Sequence, residues 1–239
     1  MIPGIIAQQA GVEESDSDPI RSKRHLILYG EGADESTSFV DHSPFAFALT
    51  PAGAAKNDVD VDVNGTPSIN LGAANANRIV FSPAANFSTG TKDVCFEAYI
   101  RLTSVGAMQT IIQRRAASVV DFWCYVSATG KLTWGWYAVG TQRLLLAGAT
   151  TLAINTTYHV CMIRKSGVTY LFINGVLDAT GTQSGNESSS SGNDVSIGYD
   201  PTNTGRYLRG AFNWMRFTID DAVYNPAGFT PDSVPYPIV

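Results

Sequence analysis

The chain has 239 residues with a formal net charge of −5; 44% of them are hydrophobic and 15% charged. That is enough apolar material for a sizeable core in a single β domain, and the acidic balance argues against an electrostatic grip on nucleic acid or anionic membrane. The sequence contains no run of about eighteen apolar residues, which excludes a helical membrane span.

Residues 1–10 are apolar but lack the basic start and long apolar stretch of a secretory signal. An acidic, Ser-rich segment at 11–18 follows, then Pro19 and the basic Arg21, Lys23 and Arg24. This composition cannot bury a core of its own, so residues 1–24 read as an extended arm, expected to dock on neighbouring subunits of a homo-oligomer. Strands are expected at 25–29 and 45–50, with turns at 31–34 and 41–44. Residues 57–63 alternate Asp58, Asp60 and Asp62 with valines, which on a strand places the three carboxylates on one side. Short strands are expected at 68–71 and 78–81. The segment 94–102 is apolar at both parities and reads as a strand in the middle of a sandwich.

Further strands are expected at 108–115, 121–126, 132–139 and 143–146, with a hairpin turn at 128–131. The stretch 158–177 is the strongest local signal: strand 158–164, a turn at Lys165-Ser166-Gly167, strand 168–173, then Asn174-Gly175. Asn-Gly tolerates the positive φ of a two-residue type I′ turn, which commits the region to antiparallel pairing. A Ser/Gly/Asn-rich loop at 182–193 precedes strands at 195–199 and 210–219, and 226–239 reads as a proline-rich irregular tail. A dozen or more short strands with no helical periodicity imply an all-β, two-sheet antiparallel sandwich.

Three cysteines, Cys95, Cys124 and Cys161, lie inside expected strands. An odd count without close spacing gives neither a disulfide framework nor a metal motif, so small buried core residues are expected. His25, His42 and His159 are scattered, and no nucleophile elbow accompanies them. The aspartates 58, 60 and 62 read as a solvated strand face or, alternatively, as an oxygen-ligand calcium site. Asp194, Asp200 and Asn203, near the Ser-rich loop, read as turn chemistry or, alternatively, as a metal site at the rim. Aromatic residues are the better binding candidates, with filling of the sandwich core as the competing reading: Trp123, Tyr125, Trp134, Trp136 and Tyr137 lie on neighbouring strands, with Trp134 and Trp136 on one face and Tyr137 on the other. Arg206, Tyr207 and Arg209 are a candidate rim patch.

Several segments in order resemble the laminin-G-like branch of the concanavalin A-like jelly rolls. They are Phe81 to Phe87 followed by VCFEAYI at 94–100, Leu132-Thr133-Trp134, Asn155 to Val160, LFINGV at 171–176, Val195 to Gly198 and FNWMRF at 212–217. The ending, Ala222 to Pro231 with Pro235-Tyr236-Pro237, resembles the close of such domains in phage virion proteins. The resemblance implies a jelly-roll sandwich over 25–225 that binds sugars or proteins, sometimes with calcium. It implies no catalysis, because jelly-roll glucanases place paired carboxylates on one strand and the corresponding strand here offers only Glu97. Two roles follow as expectations: a virion structural protein, capsid-decorating or tail-associated, or a module that binds host-surface glycans.

Overall fold

The computed structural model describes residues 21–61, 63, 65–72, 77–116, 119–138, 141–183 and 192–232. Most of the expected arm, Asp62, most of the Ser-rich loop and the last seven residues therefore lie outside the described residues. The strands, in chain order, are β1 (Arg24–Leu28), β2 (Thr50–Ala52), β3 (Lys56–Asp58), β4 (Ser68–Gly72), β5 (Arg78–Phe81), β6 (Val94–Leu102), β7 (Gln109–Ala116) and β8 (Val119–Val126). They continue with β9 (Lys131–Ala138), β10 (Thr141–Thr151), β11 (Thr157–Lys165), β12 (Val168–Ile173), β13 (Val176–Thr182), β14 (Val195–Ile197) and β15 (Gly210–Ile219).

These strands form two antiparallel sheets, the all-β jelly-roll sandwich expected. Sheet A runs β13-β12-β11-β6-β15-β4-β3, with β1 also paired to β15; sheet B runs β10-β9-β8-β7-β14-β5-β2. β6 sits between β11 and β15, which explains why 94–102 is apolar at both parities. Its even-numbered residues enter the inter-sheet core, while Cys95, Glu97 and Tyr99 are buried on the outer face. The double hairpin forms as read: Ser166, Gly167, Asn174 and Gly175 all take positive φ.

The core is built from aromatic rings meeting across the two sheets. Phe122 stacks on Trp134 at 5.5 Å and on Phe217 at 5.1 Å, and Trp134 meets Trp136 at 5.1 Å. The indole of Trp136 donates to Thr169 Oγ1 at 3.0 Å, and the buried Arg164 guanidinium lies 4.5 Å above its ring. The Thr169 hydroxyl thus satisfies the polar edge of this buried indole.

Three local expectations are corrected. Residues 45–49 do not join a sheet. Asp41 accepts from the backbone N–H groups of Ile27, Ser43 and Phe47 at 3.0, 2.9 and 2.9 Å, which bends 41–47 into a cap. The expected strand at 57–63 stops at Asp58, whose carboxylate accepts from the N–H groups of Asp60 and Val61, both at 3.0 Å. Such an Asx turn competes with ladder pairing and ends the strand. The sandwich also starts inside the expected arm: Arg24 is buried and pairs with Thr218.

The C-terminal segment is a strap across the outer face of sheet A, packed as far as the described residues run. Ala222, Val223, Tyr224 and Phe229 cover Cys95, Cys161, Ile163 and Phe172. Tyr224 and Phe229 stack at 3.8 Å, and Tyr99 donates its hydroxyl to the Asp232 carbonyl at 2.6 Å. Gly175 is required under the strap, because a Cβ there would come within 1.9 Å of the Phe229 carbonyl oxygen.

Candidate functional site

The two outer faces carry different chemistry. Beneath the strap, Glu97 pairs with Arg216, accepts from His159 Nε2 at 2.9 Å and from the Tyr224 hydroxyl at 2.9 Å. Glu97 has no solvent-exposed surface. Burial, with the Glu97 charge adding to it, holds the Tyr224 phenol far above its ordinary value, so it acts as a neutral donor. A carboxylate sealed in this way fixes the strap and cannot meet a substrate.

The outer face of sheet B is open in part. Strand register sets Val80, Ser196, Gln113, Trp123 and Gly135 in one row from β5 to β9. Gly135 is needed in that row because the Tyr137 ring lies over it, 2.8 Å from where a Cβ would stand. Val120, Trp123 and Tyr125 form a small cluster there, with Met108 and Tyr137 packed against it. Burial raises the phenols of Tyr125 and Tyr137 above their ordinary value, so both are hydroxyl donors at neutral pH.

The loop 199–209 folds back over this face. Asp200 is fully buried and acts as its latch: it caps its own turn through Thr202 N and Oγ1 at 2.9 and 2.8 Å, and it binds Arg115 at 3.3 Å and Arg206 at 3.2 Å. Gln113 donates to the Tyr199 carbonyl at 2.7 Å. The latch places the Arg206 guanidinium 5.1 Å above the Trp123 ring.

Beside the latch lies a groove. Two adjoining clefts share Arg78, Val80 and Asp194; the first is also lined by Arg115, Ser196, Tyr199 and Pro201, the second by Ala48, Thr50 and Ser82. The Arg78 guanidinium stacks over Tyr199 at 4.8 Å, and Asp194 accepts from Ser82 at 2.5 Å. Apolar floor, aromatic wall and a few charged side chains are the ordinary constitution of a ligand site.

The sequence candidates divide accordingly. Trp134 and Trp136 are corrected: both are fully buried in the inter-sheet core and present nothing to a ligand. Their strand announces this, since Leu132, Trp134, Trp136 and Ala138 form an all-apolar parity while Lys131, Thr133 and Tyr137 form the other. Tyr137 and Arg206 do reach the outer face of sheet B. Tyr207 is half-buried, with Arg209 stacked on it at 4.1 Å. The calcium reading of Asp58, Asp60 and Asp62 loses its strand. Asp58 is buried and occupied by Asn70 at 2.8 Å as well as by the turn, and Asp60 is exposed. Among the described residues no group of three or more His, Cys, Asp or Glu side chains could hold a metal. Arg78, Arg115 and Tyr199 carry no local signal; β5, β14 and β7 bring them together.

This fold is a concanavalin A-like β-sandwich. A laminin-G model, described as concanavalin A-like lectin/glucanases superfamily, matches residues 51–219, and the chain belongs to that superfamily. Among solved structures it is similar to the botulinum neurotoxin serotype D binding domain, with TM-score 0.60 and 15% identity over 83% of this chain and 49% of that one. It is also similar to the binding domain of Paraclostridial Mosquitocidal Protein 1, with TM-score 0.61 and 12% identity over 84% and 48%. The serotype G binding domain gives TM-score 0.59 and 14% identity over 82% and 47%. The chain thus spans about half the length of these structures, and at such identities the likeness is one of fold. Among curated proteins, none matches the chain by sequence.

Proposed function

We propose that this domain is a non-enzymatic binding module that holds glycans in the groove on the outer face of sheet B. The observation that carries the reading is the junction of Arg78, Tyr199, Arg115 and Ser196 over the Val80 floor, continued by Arg206 and Tyr137. Planar rings and guanidinium forks suit the alternating apolar faces and hydroxyl edges of sugars. Solved structures of similar fold named as binding domains support it. The sealing of Glu97 supports the non-enzymatic part, since glycoside hydrolysis needs two carboxylates that reach the bond. No step requires calcium.

A glycan array of the purified chain, with calcium and with chelator, tests the proposal. Selective retention of some glycans is expected, lost in Val80→Trp, which fills the groove. Retention unchanged by that substitution would move the site elsewhere.

A second reading, a virion subunit whose residues 1–24 dock on neighbours, draws on the phage-like ending. Tyr224 and Phe229 of that ending are engaged on the chain's own sheet, which leaves the arm to carry assembly. Sedimentation of the full chain against 21–239 tests it; identical oligomeric states would remove it.

A further inference from the structure

The outer face of sheet A, which takes no part in the groove, holds two buried thiols under the strap. We propose that Cys95 and Cys161 are a redox-active dithiol, which closes to a reversible disulfide by exchange with a small-molecule disulfide such as glutathione disulfide when the strap lifts. Their sulfurs lie 3.9 Å apart, and neither residue has exposed surface. Cys95 of β6 stands opposite Ile163 and Cys161 of β11 opposite Glu97, so the two are diagonal neighbours on one antiparallel ladder. A disulfide holds its sulfurs about 2.05 Å apart, so the pair must close by roughly 2 Å. A diagonal pair is wider than a directly opposed one, and the bond therefore pulls on the ladder. Strain of that kind makes a disulfide easily reduced, which suits a reversible bond and not a permanent staple.

The strap is the gate. Ala222, Val223, Tyr224 and Phe229 cover the pair. With the strap seated, burial, helped by the neighbouring Cys95 and Glu97, holds the Cys161 thiol far above its ordinary value, so little thiolate is present to react. The cover also carries strain. Tyr224 N–H donates to the Ala222 carbonyl at 2.6 Å around Val223, whose φ is 59°. A three-residue turn with positive φ at its centre is a strained form, the more so with a β-branched side chain there. The stacking of Tyr224 on Phe229 and the hydroxyl bond to Glu97 hold that turn down. Once the strap lifts, one thiol gives its proton to solvent and its thiolate attacks one sulfur of glutathione disulfide, whose S–S bond breaks to release one glutathione thiolate. The second cysteine, deprotonated in turn, attacks the mixed disulfide and expels the other glutathione. Two cysteine sulfurs are oxidised, and the two glutathiones formed take up the two protons released.

The test incubates the folded full-length chain in glutathione buffers from reducing to oxidising. Free thiols are then blocked with N-ethylmaleimide in denaturant and counted by mass spectrometry with peptide mapping. Three blocked thiols are expected under reduction and one, Cys124, after oxidation, with Cys95 and Cys161 joined and released again by dithiothreitol. Because local opening sets access, oxidation should run about tenfold faster or more in Phe229→Ala. Gly175→Ala is the second opening variant, and thermal unfolding shows that each folds. Trp134→Ala, which weakens the inter-sheet core and leaves the strap's contacts in place, should not reach that rate. Three blocked thiols in every buffer, or a glutathione held on one cysteine without a cross-link, would overturn the dithiol. Equal acceleration in Trp134→Ala would overturn the gating, oxidation then following unfolding of the whole chain.

Discussion

The outer faces of sheets A and B start from the same geometry and end in opposite states. Over sheet A the C-terminal strap lies with its aromatic pair on Phe172 and its tyrosine hydroxyl on Glu97, and a charged cluster is sealed away from water. Over sheet B the loop 199–209 covers Trp123 and holds Gln109, Gln113 and Arg115 of β7, the Asp200 latch turns it back, and a groove remains beside it. The availability of a face is thus decided by the segment folded over it. Both covers use the same device, a buried carboxylate gripping arginine, with different reach.

The comparison can be broken most strongly at the ion pair. Glu97→Ala leaves Arg216 buried without its carboxylate and should cost about 3–5 kcal/mol, read by urea unfolding. A loss comparable to a surface substitution would mean that the strap does not seal the cluster. Trp134→Ala should destabilise by a similar amount, about 3–5 kcal/mol, through the cavity it opens. Next comes Gly175→Ala, which puts a side chain at positive φ and into the Phe229 carbonyl; a loss of about 1–3 kcal/mol is expected from the backbone alone. Amide exchange should then accelerate across 222–232 and stay unchanged in loop 199–209. Equal acceleration in both would show that the two covers are coupled.

Tyr137→Ala sharpens the contrast from the other side. Stability should move by no more than about 1 kcal/mol, while glycan retention on the array should drop; full retention would remove Tyr137 from the binding face. The smallest effect is expected at the rim, where burial holds the His25 imidazole below its ordinary value of 6.5. The folded chain resists that proton and the unfolded chain accepts it. Stability should therefore be level above 6.5 and fall as pH drops below it, and His25→Gln should remove that part of the slope.

The parity of residues along a strand is legible in the amino-acid sequence. Leu132, Trp134, Trp136 and Ala138 share one apolar face, and the Asn174-Gly175 turn makes its hairpin as its chemistry requires. Parity does not say which face meets the other sheet until both parities are weighed, and two tryptophans attract attention as binding residues although burial is what large rings gain most from. Local turn chemistry explains why 45–50 and 57–63 depart from the strands their alternation suggests. Asp41 and Asp58 capture backbone N–H groups that a strand would have given to a neighbour, and alternation alone does not reveal which donor wins.

The sequence by itself determined the class of fold, the antiparallel hairpins and the family, because these rest on alternation, turn residues and motif order along the chain. Only the tertiary structure decided which face is closed and which is open. The strap's seat on Glu97 and Gly175, and the meeting of Arg78, Arg115 and Tyr199, join residues far apart in the chain. Strand order and register create those contacts, and no local pattern encodes them.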